Sequence, residues 1–177
     1  CDALSEQAVK QDIESILAKN FDANNNVEVY KQCLNLIDLT SLSGTDTHTE
    51  IKSMVDKVND FKSSFPQLSN VAAICVYPAL VPVVKENIKE DIGIAAVSAG
   101  FPASQTFIEV KVAETAMAVM EGATEIDVVI SIGKFLEGNY EEVFEELTEL
   151  KAACRDAHLK VIIESGALQS VANIKKA

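Results

Sequence analysis

Two ionisable side chains lie inside apolar runs of this sequence, and together they could support covalent chemistry on a carbonyl compound. Lys160 opens the run Lys-Val-Ile-Ile, and Asp127 lies between Ile126 and Val128. Burial lowers the pKa of a lysine from its usual ~10.4, and a partly neutral amine is what a Schiff-base nucleophile requires. A carboxylate beside the lysine would favour the charged amine, so another influence would then have to lower that pKa.

Each of these residues also has a structural interpretation. Lys160 could lie at a strand edge and extend its ammonium to solvent. Asp127 could relay protons or pair with a lysine, or its carboxylate could instead accept hydrogen bonds from loop amides. The two interpretations remain open for both residues.

Other polar residues near the predicted strand ends are less specific. Asp38 ends the segment 34–38 and is expected either to cap a turn or to line a site. Cys75 is expected to be core, because neither His48 nor His158 falls at a strand end where it could activate a thiol. The hydroxyls of the loop 100–106 either cap the next helix or contact a substrate, and the acidic helix 141–149 is expected to be a solvated face.

The elements that would position these residues alternate regularly along the chain. A helix is predicted over 5–19, and five apolar segments then follow, each succeeded by a helix; these segments are 34–38, 71–77, 92–98, 125–130 and 160–164. Apolar strands without polar alternation are typical of buried parallel sheets, so the fold class is α/β. A barrel is favoured over a dinucleotide fold because no Gly-rich fingerprint follows the first strand. Lys160 and Asp127, on consecutive strands, would face one interior.

Composition limits the classes of partner. The chain has 177 residues with 15 Lys and Arg against 27 Asp and Glu, so its net charge is 15 − 27 = −12. Such a surface repels nucleic acids and anionic membranes, while a small anion needs only a local patch of donors. Four widely spaced cysteines without a CxxC pair, no His-carboxylate cluster and no signal peptide predict a cytoplasmic protein without metal or cofactor.

Five motifs in register resemble the 2-deoxyribose-5-phosphate aldolase family. They are Leu-Ile-Asp-Leu-Thr-Ser-Leu (36–42), Asn-Val-Ala-Ala-Ile-Cys-Val-Tyr-Pro (70–78), Gly-Phe-Pro-Ala-Ser-Gln-Thr (100–106), Gly-Ala-Thr-Glu-Ile-Asp-Val-Val-Ile (122–130) and Leu-Lys-Val-Ile-Ile-Glu-Ser-Gly-Ala-Leu (159–168). The resemblance implies a (β/α)8 barrel and a metal-free class I aldolase that cleaves 2-deoxy-D-ribose 5-phosphate to D-glyceraldehyde 3-phosphate and acetaldehyde, in deoxyribonucleotide catabolism. It implies that Lys160 forms the Schiff base, that Asp127 relays protons, and that Asp38, Thr40 and Cys75 bind substrate. It further implies a homo-oligomer, in particular a dimer.

The chain is shorter than this resemblance requires, since a closed barrel takes about 250 residues. We expect residues 1–30 to form an extra N-terminal helical segment and residues 31–177 to form an incomplete barrel with five of eight strand–helix units. The family's second lysine and its phosphate-binding loops would follow residue 177, so we expect little activity from these residues alone. The alternatives are an impaired fragment that folds with a partner or second copy, and another Schiff-base sugar-phosphate barrel enzyme.

Overall fold

A five-stranded parallel sheet organises the protein, for which a computed structural model describes residues 5–177. The strands are β1 (Asp38–Thr40), β2 (Ala73–Val76), β3 (Gly93–Val97), β4 (Glu125–Val129) and β5 (His158–Ile162). They follow one another in the order β1-β2-β3-β4-β5, and every neighbouring pair is parallel. This arrangement confirms the predicted alternating α/β architecture with five strand–helix units.

Helices precede the first strand, connect successive strands and follow the last one. They are α1 (Glu6–Asn24), α2 (Val27–Leu34), α3 (His48–Ser64), α4 (Val81–Asn87), α5 (Ile108–Glu121), α6 (Ile132–Leu136), α7 (Tyr140–Cys154) and α8 (Val171–Lys176), and a 3₁₀ turn over Pro78–Leu80 precedes α4. Thr47 and Glu50 form a capping box at the start of α3. Gly122 ends α5 with a φ of 114°, as predicted for a C-terminal glycine cap. None of the helices within residues 5–177 is long and apolar enough to cross a bilayer.

The segment before β1 differs from its prediction. A strand over 34–38 is predicted, but Leu34 is the last residue of α2 and β1 begins only at Asp38. The reason lies in Asn26, whose side chain accepts hydrogen bonds from the backbone amides of Glu28 and Val29 and so caps a new helix.

The two faces of the sheet have different surroundings. Alternate residues such as Ile74, Val76 and Ile126 point outward into the main hydrophobic core with the helices. The other residues point to the inner face, where Ala73, Cys75, Ala95 and Val97 form a smaller cluster. The sheet is not closed: within the described chain β1 and β5 each pair with one neighbour, which agrees with a partial barrel. Strands β2 and β3 are buried as predicted, but Val161 and Ile162 of the edge strand β5 are exposed.

Candidate active site

Lys160 and Asp127 meet on the inner face of the sheet. They are register partners on β5 and β4, and the Lys160 Nζ lies 3.0 Å from the Asp127 Oδ1. Parallel neighbours in register present their side chains to the same face, so this pairing follows directly from strand geometry. The prediction that both residues face one interior is confirmed. The alternative roles, a solvent-directed lysine and an aspartate held by loop amides, do not describe this contact.

Two further carboxylates complete a cluster around the same ammonium. The Asp38 Oδ2 lies 2.5 Å from the Lys160 Nζ, and the Glu125 Oε2 lies 2.9 Å from it. Asp38 belongs to β1 and Lys160 to β5, so the curvature of the sheet brings its first and last strands together across the inner face. The cluster therefore contains one cation and three anions. Sequence reasoning missed Glu125, although its position two residues before Asp127 places both on one face of β4.

The electrostatics of Lys160 favour the charged amine, as expected for a lysine beside carboxylates, and not the depressed pKa that burial alone would give. Burial alone would lower the pKa of this amine, but close contact with the carboxylates of Asp38, Glu125 and Asp127 raises it above its usual value. The side chain is 36% exposed, so burial is incomplete while the carboxylates are in direct contact. The described site therefore holds Lys160 as an ammonium, and a proton must leave before the amine can attack a carbonyl.

Asp127 has one oxygen that is buried without a hydrogen bond. The contact between its Oδ1 and the Lys160 Nζ lacks hydrogen-bond geometry, and no other described residue donates to this oxygen. Burial, only partly offset by Lys160, raises the pKa of this carboxyl above its usual value. A carboxylate with a free lone pair and a raised pKa is suited to accept and return protons.

Cys75 lies beside this aspartate, with its Sγ 3.9 Å from the Asp127 Oδ2. Burial, followed by the charge of Asp127, raises the pKa of the Cys75 thiol to about 11. The group is therefore a neutral thiol near pH 7, in agreement with the expectation that it packs rather than attacks.

Asp38 and Thr40 begin and end β1, which corrects the expectation that Asp38 ends its strand. Asp38 caps no helix, because its carboxylate is directed at Lys160. The Thr40 hydroxyl donates to the backbone carbonyl of Asp38, and Thr40 is in register with Cys75 on β2. All of the predicted site residues thus lie on the inner face of β1, β2, β4 and β5.

A second polar cluster, between α5 and α7, was not predicted. The Lys111 Nζ, on a side chain only 1% exposed, contacts the Glu146 Oε2 at 3.1 Å and the hydroxyls of Ser104 and Ser131. Ser104 therefore does not cap α5, whose N-cap is Phe107 without a side-chain hydrogen bond, and the capping expectation for this loop is wrong. Glu146 is likewise buried, so the acidic helix 141–149 is solvated only in part. A cavity of about 440 Å³ adjoins this cluster.

No group of three or more His, Cys, Asp or Glu side chains within residues 5–177 has an arrangement that could hold a metal ion. Cys33, Cys75 and Cys154 are free thiols, and Cys1 lies outside the described residues. The inner face presents an amine surrounded by carboxylates.

A curved parallel α/β sheet with a lysine and carboxylates on its inner face defines a partial (β/α) barrel of the aldolase class. Residues 33–177 match the family described as DeoC/LacD family aldolase, and the chain belongs to that family. It is 36% identical over 162 residues to the deoxyribose-phosphate aldolases of Mus musculus and Homo sapiens, covering 82% of this chain and 49% of each relative.

Solved structures agree with the family assignment. The chain is similar to an aldolase named QR15, with a TM-score of 0.71 and 30% identity over 81% of this chain and 60% of that one. It is also similar to a putative deoxyribose-phosphate aldolase from Coccidioides immitis, with a TM-score of 0.69 and 28% identity over 81% of this chain and 53% of that one. The chain spans about half the length of the curated relatives that it matches.

Proposed function

We propose that this protein acts as a Schiff-base aldolase that cleaves 2-deoxy-D-ribose 5-phosphate to D-glyceraldehyde 3-phosphate and acetaldehyde. The observation that carries the proposal is the Lys160 Nζ 3.0 Å from the Asp127 Oδ1 on the inner face. The names of the relatives, deoxyribose-phosphate aldolases, support the substrate, and family membership supports the reaction class.

In the proposed mechanism, Lys160 first loses a proton to a neighbouring carboxylate, for which the Asp127 Oδ1 has an open lone pair. The neutral amine attacks C1 of the open-chain sugar, and loss of water from the carbinolamine gives an iminium. As the C3 hydroxyl loses its proton, the C2–C3 bond breaks and its electron pair moves into the iminium. This step releases D-glyceraldehyde 3-phosphate and leaves an enamine on Lys160.

Protonation of the enamine at its terminal carbon and hydrolysis of the resulting imine release acetaldehyde and restore the lysine. We assign the transfer of these protons to Asp127, through a water molecule that it orients. Asp38, Thr40 and Cys75 are proposed to contact the substrate, because they share the inner face with the nucleophile.

The same proposal includes the organisation of the chain. Residues 31–177 would form the aldolase part and residues 1–30 an additional helical segment, and α1 has no buried residue. The protein is proposed to be a cytoplasmic homodimer without cofactor. The described cysteines are free thiols, which suits a reducing compartment. One solved relative, from Aeropyrum pernix, is described as tetrameric.

Borohydride trapping tests the nucleophile directly. We expect incubation with 2-deoxyribose 5-phosphate and borohydride to attach one reduced sugar-derived group, which peptide mass spectrometry locates on Lys160. The intact mass of the sample is compared with 19.1 kDa first, so that the chain under test is known. Lys160→Met should abolish the adduct, and Lys57→Met, at an exposed lysine of α3, should retain it. An adduct on another lysine would refute the assignment, and adducts only with other sugar phosphates would refute the substrate.

A further inference from the structure

Glu125 lies against Gly93, and the space left by the missing side chain of this glycine determines where the Glu125 carboxylate can lie. A Cβ placed on Gly93 would lie 2.4 Å from the Glu125 Oε1 and 3.1 Å from the Ala73 Cβ. The carboxylate of Glu125 therefore occupies space that only a glycine at position 93 leaves open. Its other oxygen, Oε2, lies 2.9 Å from the Lys160 Nζ.

We propose that Glu125 is a positioning residue for Lys160, located against Gly93, which fixes the Nζ between Asp38 and Asp127 and acts as its counter-ion. The inference rests on the proposed function, because it assigns Glu125 a role toward the proposed nucleophile. The Glu125 side chain is 23% exposed, so water screens the contact less than at an open surface.

The counter-ion role applies to two states of the nitrogen. The resting ammonium and the iminium of the proposed reaction each place a positive charge at the Lys160 Nζ. A carboxylate already directed at that position stabilises the charge without reorganising during the reaction. Asp127 is left with an oxygen free for proton transfer, while Glu125 and Asp38 hold the nitrogen in place.

The neighbourhood of the Lys160 Nζ contains few groups that could produce the same effect. The titratable side chains directed toward it from the other strands are Asp38 of β1, Cys75 of β2, and Glu125 and Asp127 of β4. Strand β3 contributes Gly93, Ala95 and Val97 to this face, and none of these titrates. On β5 itself, His158 lies two positions earlier, in register with Glu125.

Competitive acylation measures the predicted effect without any substrate. The rate at which acetic anhydride modifies Lys160 follows the fraction of neutral amine, so its pH profile reports the pKa of that lysine. An opposite charge in contact shifts a pKa by at least about one unit, so Glu125→Gln should make Lys160 react about tenfold faster at a fixed pH below the midpoint. Glu145→Gln, at an exposed residue of α7, removes the same charge and should leave the profile unchanged.

Gly93→Ala provides the second variant, because it displaces the carboxylate without removing a charge. It should shift the profile in the same direction as Glu125→Gln, by a smaller amount, with the folded state checked by circular dichroism. A profile in Glu125→Gln that matches the wild type would overturn the inference. A shift in Glu125→Gln but none in Gly93→Ala would overturn the role of the glycine. Failure of borohydride trapping on Lys160 would instead overturn the proposed aldolase function and leave the acylation result independent of it.

Discussion

The buried ion pair between Lys111 of α5 and Glu146 of α7 allows the effect of a substitution on the stability of the protein to be predicted. Lys111 is 1% exposed and its ammonium has three partners: the Glu146 Oε2 at 3.1 Å, the Ser131 Oγ at 2.8 Å and the Ser104 Oγ at 2.9 Å. Replacing Lys111 with Met keeps the apolar stem and removes the charge. The hydroxyls of Ser104 and Ser131 and the carboxylate of Glu146 then each lose one hydrogen-bond donor.

The loss of unfolding free energy in each variant depends on the charged and polar groups that the variant leaves unpaired. Removing one member of a buried ion pair costs about 3–5 kcal/mol in unfolding free energy. Glu146 keeps hydrogen bonds from Lys134 at 2.9 Å and Ser131 at 2.5 Å, so Lys111→Met should cost about 3 kcal/mol, the lower end of that range. Glu146→Gln leaves the Lys111 charge buried without a counter-ion and should cost about 4 kcal/mol. The double variant should cost at least about 2 kcal/mol less than the two single costs together, because it leaves no unpaired charge.

Urea unfolding followed by circular dichroism measures all three variants against the wild type. Lys52→Met provides the matched control, because its ion pair with Asp56 is exposed and should contribute less than about 1 kcal/mol. Strict additivity of the two single variants, or a cost below about 1 kcal/mol for Lys111→Met, would refute the argument.

The same pair predicts a dependence on pH. Burial alone would raise the pKa of Glu146, but hydrogen bonds from Ser131, Lys134 and Lys111 lower it below 4.5 in the folded protein. A lowered folded-state pKa stabilises the protein above the unfolded value, and this contribution is lost as the pH falls through the folded-state pKa. The difference between the wild type and Glu146→Gln should therefore be full at neutral pH and shrink below about pH 4.5. A constant difference down to acid pH would contradict this interpretation.

Two smaller predictions follow from local geometry. Thr47→Ala removes the side-chain half of the capping box at the start of α3 and should cost about 1 kcal/mol in urea unfolding, whereas the exposed Ser53→Ala within the same helix should cost much less. Because the pKa of Cys75 is about 11 and that side chain is buried, iodoacetamide at pH 8 should modify the exposed Cys33 well before Cys75, as followed by peptide mass spectrometry. Faster labelling of Cys75 would show that a thiolate forms there.

Strand pairing was predictable from sequence because it depends on apolar runs and their order. The runs at 71–77, 92–98 and 125–130 each contain an observed strand, and their order along the chain is the order in the sheet. The strand over 34–38 was wrongly predicted because an apolar run was considered without the helix cap that precedes it. Leu34 and Leu36 suggested a strand by hydrophobicity, while the helix that ends at Leu34 depends on a cap at Asn26, eight residues earlier.

The positions of Lys111 and Glu146 in their helices indicate that both side chains are buried, but a search for apolar residues alone passes over them. Lys111 precedes Thr115 and Ala118 by four and seven positions, so it belongs to the buried stripe of α5. Glu146 lies between Val143 and Leu150 on the buried stripe of α7. A lysine and a glutamate on the buried stripes of two neighbouring helices predict an ion pair. Their distance, however, depends on helix packing that no local pattern specifies.

The charge of the inner cluster also limits how the proposed substrate can enter. With all four side chains ionised, Lys160 and its three carboxylates carry a net charge of −2, so they repel a phosphate dianion. Unit charges about 8 Å apart interact by about 2 kcal/mol at an effective dielectric constant of 20, so a phosphate beside the cluster would be strongly disfavoured. The aldehyde carbon and the phosphate stand at opposite ends of 2-deoxyribose 5-phosphate. The cluster thus favours the one orientation of the proposed substrate that presents its aldehyde to Lys160, and its negative charge would stabilise the positive iminium of the proposed reaction.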